Sequence, residues 1–159
     1  MFETILVPLD GSELAEDALA TAVELQAKFG SRLLLLRAVE PLSRRLAQPP
    51  AIFESPAAAA ANVELLEKMT AAEREEAQTY LEALRPRLER GGRVEALVME
   101  GEAAEAVVSA AAARGAGLIV MSSHGRGGLG RLVFGSVADA VLRQSGVPVL
   151  LIRRQEREG

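Results

Sequence analysis

The chain has no cysteine and no tryptophan, and only one histidine and one tyrosine. Without thiols there is no disulfide framework and no thiolate metal site, and the lone His124 cannot build a histidine-based metal centre. Lysine is nearly absent: Lys28 and Lys68 are the only two, and neither follows a glycine-rich loop. A conventional phosphate-loop NTPase would lack its cation here. No apolar run approaches the roughly 20 residues that a helix needs to cross a bilayer, and Met1-Phe2-Glu3-Thr4 lacks the basic start of a signal peptide. The expectation is a cytoplasmic protein with no membrane attachment. A net charge of −4 argues against a general nucleic-acid binder.

What is present suffices for one domain: 159 residues, 49% hydrophobic and 25% charged, can enclose a single core. Thr4-Ile5-Leu6-Val7-Pro8-Leu9 is an aliphatic run of strand length. Ser12 follows as an N-cap, with Glu13, Glu16 and Asp17 where carboxylates suit the helix dipole. Leu14, Ala18, Ala22, Leu25 and Phe29 then mark one helix face, which Gly30 ends. Arg32 to Val39 predicts a second buried strand. From 41 to 62 the pattern dissolves into prolines and alanines, read as a flexible insertion, although the alanine run 57–61 could extend the next helix. That helix runs from Val63 to about Leu88, with Ala77, Leu81, Leu84 and Leu88 inward and Pro86 expected to kink or end it near Arg85. Gly91-Gly92 turns the chain into a third strand, Arg93 to Met99, and Glu102 to Arg114 predicts an alanine-rich helix with Ala103, Val107, Ala110 and Ala111 inward. Val147 to Ile152 reads as a fifth strand, and the residues after 154 as a charged tail.

The stretch between these elements is the most informative. Leu118 to Met121 has the composition of a strand buried on both faces and stops at Ser122 and Ser123. Four glycines follow at 125, 127, 128 and 130, and then Gly135 and Ser136 open a helix with Ser136 as N-cap, Asp139 as capping-box partner and Gly146 as terminator. A strand, a glycine-rich loop and a helix N-terminus are the parts of an anion cradle, because backbone donors and the positive end of the dipole both favour phosphate. Charge is distributed to match. Up to residue 121 there are 12 Lys and Arg against 19 Asp and Glu, a balance of −7; from Ser122 on there are 6 against 3, a balance of +3. Arg126 and Arg131 lie in the loop itself, where they either solvate a surface or attract a polyphosphate. Gly125-Arg126-Gly127-Gly128-Leu129-Gly130 also matches the dinucleotide fingerprint, but that motif belongs after the first strand, not the fourth.

Alternating strands and helices imply an α/β domain with a doubly wound, five-stranded parallel sheet and helices on both faces. The Rossmann-like strand order 3-2-1-4-5 is expected. In such sheets a ligand sits beyond the carboxyl ends of the strands where the winding reverses. That rule gathers Pro8-Leu9-Asp10, Ala38-Val39-Glu40 and the stretch from Met121 to Gly128 around one pocket.

Three segments together make the chain resemble a universal stress protein: Ile5-Leu-Val-Pro-Leu-Asp-Gly-Ser12, the run from Ser122 to Ala138, and Val147-Pro-Val-Leu-Leu-Ile152. The resemblance spans nearly the whole chain, 41–62 and the tail excepted. The ATP-binding branch of that family carries a glycine, two residues, a second glycine, nine residues, and then glycine followed by Ser or Thr. This chain keeps the spacing through Gly125 and Gly135-Ser136 and has Ser122 at the first position. The resemblance implies ATP, alone or with Mg2+, as ligand. Asp10 would face the ribose and Pro8 and Ala38 would line the adenine slot, with Leu9 also among the binding residues. Met121, Ser122, Ser123, His124, Gly125, Arg126, Gly127 and Gly128 would wrap the phosphates, and Gly135, Ser136 and Val137 would hold them at the helix end. It also implies a homodimer through strand five, an unidentified protein partner in a stress response, and binding rather than efficient catalysis, with slow hydrolysis or self-phosphorylation at most.

Plainer readings stand beside these. Asp10 could be the acceptor of an Asx-turn, His124 a loop side chain held by backbone, Ser136 a cap with no phosphate, and Tyr80 a helix packing residue. A second function reading is a non-nucleotide member of the same fold that works through protein contacts, with Ser122 as its mark. A third is a redox or nucleotide-transferring enzyme of related architecture.

Overall fold

Successive side chains of a strand point to opposite faces of a sheet, so a run that is aliphatic throughout must be covered on both sides. The computed structural model, which describes residues 2–47, 55–123 and 135–153, shows that arrangement. Strands β1 (Thr4–Pro8), β2 (Arg32–Val39), β3 (Val94–Glu100), β4 (Leu118–Ser123) and β5 (Val149–Arg153) form one all-parallel sheet in the order β3-β2-β1-β4-β5. Ile5, Val7, Leu33 and Leu35 face helices α1 (Glu13–Phe29) and α3 (Pro56–Leu88), where Ala18, Ala22, Ala77 and Leu81 meet them. Leu6, Leu34, Leu36 and Ile119 face α4 (Ala103–Ala113) and α5 (Ser136–Gln144). Ala104, Ala110 and Ala111 are all buried on that side, and side chains this small let α4 lie close on the sheet.

Several boundaries differ from the sequence reading for identifiable reasons. A short helix α2 (Leu42–Ala47) occupies the start of the proposed insertion, and 56–62 is the first part of α3. Residues 48–54 lie outside the described residues. Ser55 starts α3 by accepting from the Ala58 N–H at 3.2 Å, with Pro56 at a position where no donor is needed. Arg45 of α2 reaches Glu73 of α3 and stands 3.8 Å from Glu40 at the end of β2, so α2 is tied to both elements. Pro86 does not end α3 at Arg85. It sits in the last turn, where the buried Leu84 and Leu88 hold the helix on the sheet, and the Glu89 N–H closes on the Arg85 carbonyl. A 3-10 turn over Glu89–Gly91 follows.

The inward face of α1 is Ala18, Leu19, Ala22 and Gln26. Phe29 is 50% exposed in the final turn, beyond the core, and packs edge-on against Phe2 with ring centres 5.3 Å apart. Gln26, fully buried, donates from Nε2 to the Arg93 carbonyl at 2.9 Å, joining α1 to the start of β3. Gly30 has φ +68 and ends α1 in the left-handed conformation that glycine adopts most readily. β4 extends through Ser122 and Ser123 because both pair with β5, opposite Ile152 and Arg153. β5 itself begins at Val149, not Val147, and Ser145, not Gly146, caps the end of α5.

One contact binds α1 to α3 beside the β1–α1 turn. Tyr80 donates its hydroxyl to Glu16 Oε1 at 2.9 Å, and the Arg37 guanidinium lies 5.3 Å from the Tyr80 ring centre. Burial first, and then the hydrogen bond to Glu16, push the Tyr80 phenol well above its ordinary range. A phenol with a raised folded-state pKa contributes stability that is fully present below its unfolded pKa of about 10 and is lost as pH rises through the folded value. Because Tyr80 is the sole tyrosine, absorbance at 295 nm follows it alone. Native protein should show tyrosinate only well above pH ~10, whereas the denatured chain titrates near ~10. A native transition at the unfolded value would contradict the Glu16–Tyr80 contact.

Candidate functional site

The parallel sheet delivers the ends of β1, β2 and β4 to one edge, and there the described residues enclose a cavity of about 250 Å³. This lies just under the ~300–1,000 Å³ usual for small-molecule sites. Its walls come from five segments. Pro8, Leu9 and Asp10 end β1 and enter α1; Leu36 and Ala38 share one face of β2; Met121, Ser122 and Ser123 end β4; Ala103 and Val107 begin α4; and Gly135, Ser136 and Val137 begin α5. The segments read as pocket-forming from sequence therefore come together. Five further residues of that reading, His124, Gly125, Arg126, Gly127 and Gly128, lie outside the described residues, as does Arg131.

The β1–α1 turn follows its sequence chemistry. Asp10 accepts the Ser12 N–H through Oδ1 at 2.8 Å, an Asx-turn, and Ser12 Oγ accepts the Ala15 N–H at 3.1 Å as the α1 cap. Gly11 between them has φ +86, a conformation that a side chain would strain. Asp10 is exposed at the cavity wall, and its other oxygen makes no hydrogen bond among the described residues.

The α5 start departs from the expected cap. Ser136 is the first helical residue and Gly135 is the N-cap, with no side-chain bond to the first-turn amides. Asp139 forms no capping box; its carboxylate takes the Arg143 Nε at 2.9 Å, one turn on. The other helices with a described cap differ: Ser12, Ser55 and Glu102 each accept an amide of their own helix. Gly135 has φ −56 and ψ 155, which any residue can adopt, and a β-carbon there would meet nothing within 4 Å among the described residues. Among the described residues neither strain nor crowding calls for glycine at 135, which lines the cavity.

Ser122 and Ser123 supply hydroxyls at the end of β4. Ser122 Oγ is buried and has no hydrogen-bond partner among the described residues, a condition that typically costs about 1–3 kcal/mol. Asp10 is the sole ionisable side chain among the described lining residues, and no described group of three or more His, Asp or Glu could hold a metal ion. Of the arginines after Ser122, the two described ones stand away from this wall: Arg143 is paired with Asp139 on the exposed side of α5, and Arg153 is exposed on β5.

The sequence reading missed Ser12, Leu14, Ala15, Leu36, Ala103, Val107 and Ala138, which also line the cavity. Leu36 was accessible in principle, since it shares a face with Ala38 two residues on. Ala103 and Val107 are one turn apart at the start of the helix after β3, the position that the strand-end rule selects.

Comparison with known proteins agrees with this architecture. The model of the universal stress protein family matches residues 1–153. A universal stress protein of Thermus aquaticus, encoded in the 3' region of QAH/OAS sulfhydrylase, is 35% identical over 153 residues, covering 96% of this chain and all of that one. The universal stress protein MJ0577 of Methanocaldococcus jannaschii is 29% identical over 161 residues, covering 98% of this chain and 97% of that one. The solved structure of MJ0577 superposes with a TM-score of 0.76 at 27% identity, over 98% and 99% of the two chains. A universal stress protein family member from Arabidopsis thaliana, solved with AMP bound, shares the fold with a TM-score of 0.63 at 16% identity, over 98% and 94%. No helix among the described residues is long and apolar enough to cross a membrane. With a family match from the first residue to the end of β5, the chain belongs to the universal stress protein family.

Proposed function

We propose that this chain is an adenine-nucleotide-binding universal stress protein with ATP as its ligand. It would act as a cytoplasmic, ligand-dependent signalling module in stress response and not as an enzyme of high turnover. The observation that carries the reading is the uncapped start of α5, which opens on the same cavity as the Asp10 turn. First-turn amides and the positive end of a helix dipole favour an anion. Phosphoryl oxygens at Ser136 and Val137 would supply the acceptors that Gly135 cannot. The free oxygen of Asp10 can accept from ribose hydroxyls, and the slot between Pro8 and small Ala38 suits a flat base. The AMP-bound relative from Arabidopsis supports the ligand class. Any Mg2+ would be held mainly by the nucleotide's phosphates, since Asp10 is the sole carboxylate among the described lining residues.

Association through β5 belongs to the same reading. β5 is a sheet edge whose Val149, Leu150, Leu151 and Ile152 are each half-buried, so a second copy could continue the sheet or cover these side chains. Empty and occupied cavities would then offer a protein partner different surfaces on the dimer.

Equilibrium dialysis should show saturable ATP binding. Gly135→Val should weaken it by at least about tenfold in a protein that still folds, because the residue lines the cavity and a β-carbon there meets no described protein atom, while the poorer N-cap lowers the melting temperature only modestly. Absence of saturable binding to wild type at millimolar ATP would favour a stress protein that works through protein contacts alone. Light scattering should give twice the 16.8 kDa chain mass. A monomeric mass would remove the β5 interface.

A further inference from the structure

The turn that carries Asp10 is gripped from outside the cavity. Gly11 lies against Arg37 of β2: a β-carbon built on Gly11 would stand 3.5 Å from the guanidinium carbon and from both terminal nitrogens. Arg37 is largely buried, its side chain 17% exposed, yet its one ion pair among the described residues is a 3.9 Å approach to Glu76, which is 75% exposed. The same cation lies over the face of Tyr80 and borders the space beside Gly11. Tyr80 in turn donates to Glu16, one turn into α1, whose own N–H bonds the Ser12 carbonyl at 3.3 Å. Asp10 also adds its charge to the field that raises the Tyr80 phenol. A chain of contacts thus runs from α3 through Tyr80 to Gly11 and Ser12 of the segment Asp10-Gly11-Ser12, on the sheet face opposite α4 and α5.

We propose that Tyr80, Glu16 and Arg37 form a positioning assembly by which α3 fixes the Asp10 turn at the cavity mouth, so that ligand affinity depends on a tyrosine outside the cavity. The inference rests on the nucleotide reading of that cavity. A carboxylate recognises ribose hydroxyls only when held within a few tenths of an ångström of the bonding position, and the Asx-turn, being exposed, cannot supply that rigidity alone. Tyr80 supplies it without touching the ligand. Loosening α3 would weaken binding through Asp10, which gives a protein partner seated on α3 a route to the site.

Four full-length proteins test the assembly: wild type, Tyr80→Phe, Glu16→Ala and Glu16→Gln. Hydrogen exchange of the peptide spanning residues 9–16 is measured without ligand, and ATP affinity by equilibrium dialysis. Tyr80→Phe keeps the ring under Arg37 and removes only the hydroxyl. It should accelerate exchange and raise the Kd for ATP, each by about three- to tenfold. Glu16→Ala should do the same, whereas Glu16→Gln retains an acceptor oxygen and should stay near wild type. Glu16→Ala decides the matter if Tyr80→Phe folds poorly. Unchanged exchange and unchanged Kd in Tyr80→Phe and Glu16→Ala would overturn the assembly while leaving nucleotide binding intact. Faster exchange with no change in Kd would also overturn it, since the turn would move without consequence. Failure of wild type to bind ATP would overturn the nucleotide reading, and with it any role for Tyr80 in affinity.

Discussion

The structure depends on a sheet whose middle strands have no solvent face. Ile5, Leu6 and Val7, and likewise Leu33 to Leu36, are buried on both sides, so helices must cover both faces and each connection must cross over the sheet. Because β1 is central and the chain winds outward from it in both directions, the turns after β1 and β4 part at the same edge. That gap becomes the cavity. The site follows from burying aliphatic strands, and the polar groups around it occupy positions that the winding leaves open.

Among the described residues, what distinguishes this edge is a helix start with no side-chain cap. α1, α3 and α4 satisfy first-turn amides with Ser12, Ser55 and Glu102, whereas α5 begins at a glycine that offers no side chain. The first-turn amides of α5 open on the cavity and form a surface whose donors a phosphorylated ligand could complete, which is the physical content of the nucleotide reading.

Much of this was legible in the sequence, and the exceptions share a cause. Strand β2 has the bounds that its composition gives, Arg32 to Val39, because an unbroken aliphatic run between turn residues admits few alternatives. Ser12 caps α1 as its local pattern implies. Ser122 and Ser123 read as loop because polarity suggested a strand end, yet pairing to β5 keeps them in the sheet. Phe29 kept the helical period of an inward face but falls past the core. Pro86 obeys a rule about isolated helices that packing by Leu84 and Leu88 overrides. Ser136 has the identity of a cap but stands one residue too late to serve as one. The bond from Tyr80 to Glu16 joins residues 64 positions apart, and no local pattern announces it. The pocket wall at Ala103 and Val107 was hidden in the same way, since small apolar residues at a helix start look like ordinary packing until topology sets them at the cavity.

The central claim is that the amides opening α5 receive phosphoryl oxygens while Asp10 receives the sugar. A crystal structure grown with ATP tests this most directly. The account predicts phosphate density within hydrogen-bonding distance of the Ser136 and Val137 amides, with the ribose hydroxyls on the Asp10 carboxylate and the base between Pro8 and Ala38. A cavity that stays free of nucleotide at saturating ATP, or a nucleotide bound away from α5, would contradict it.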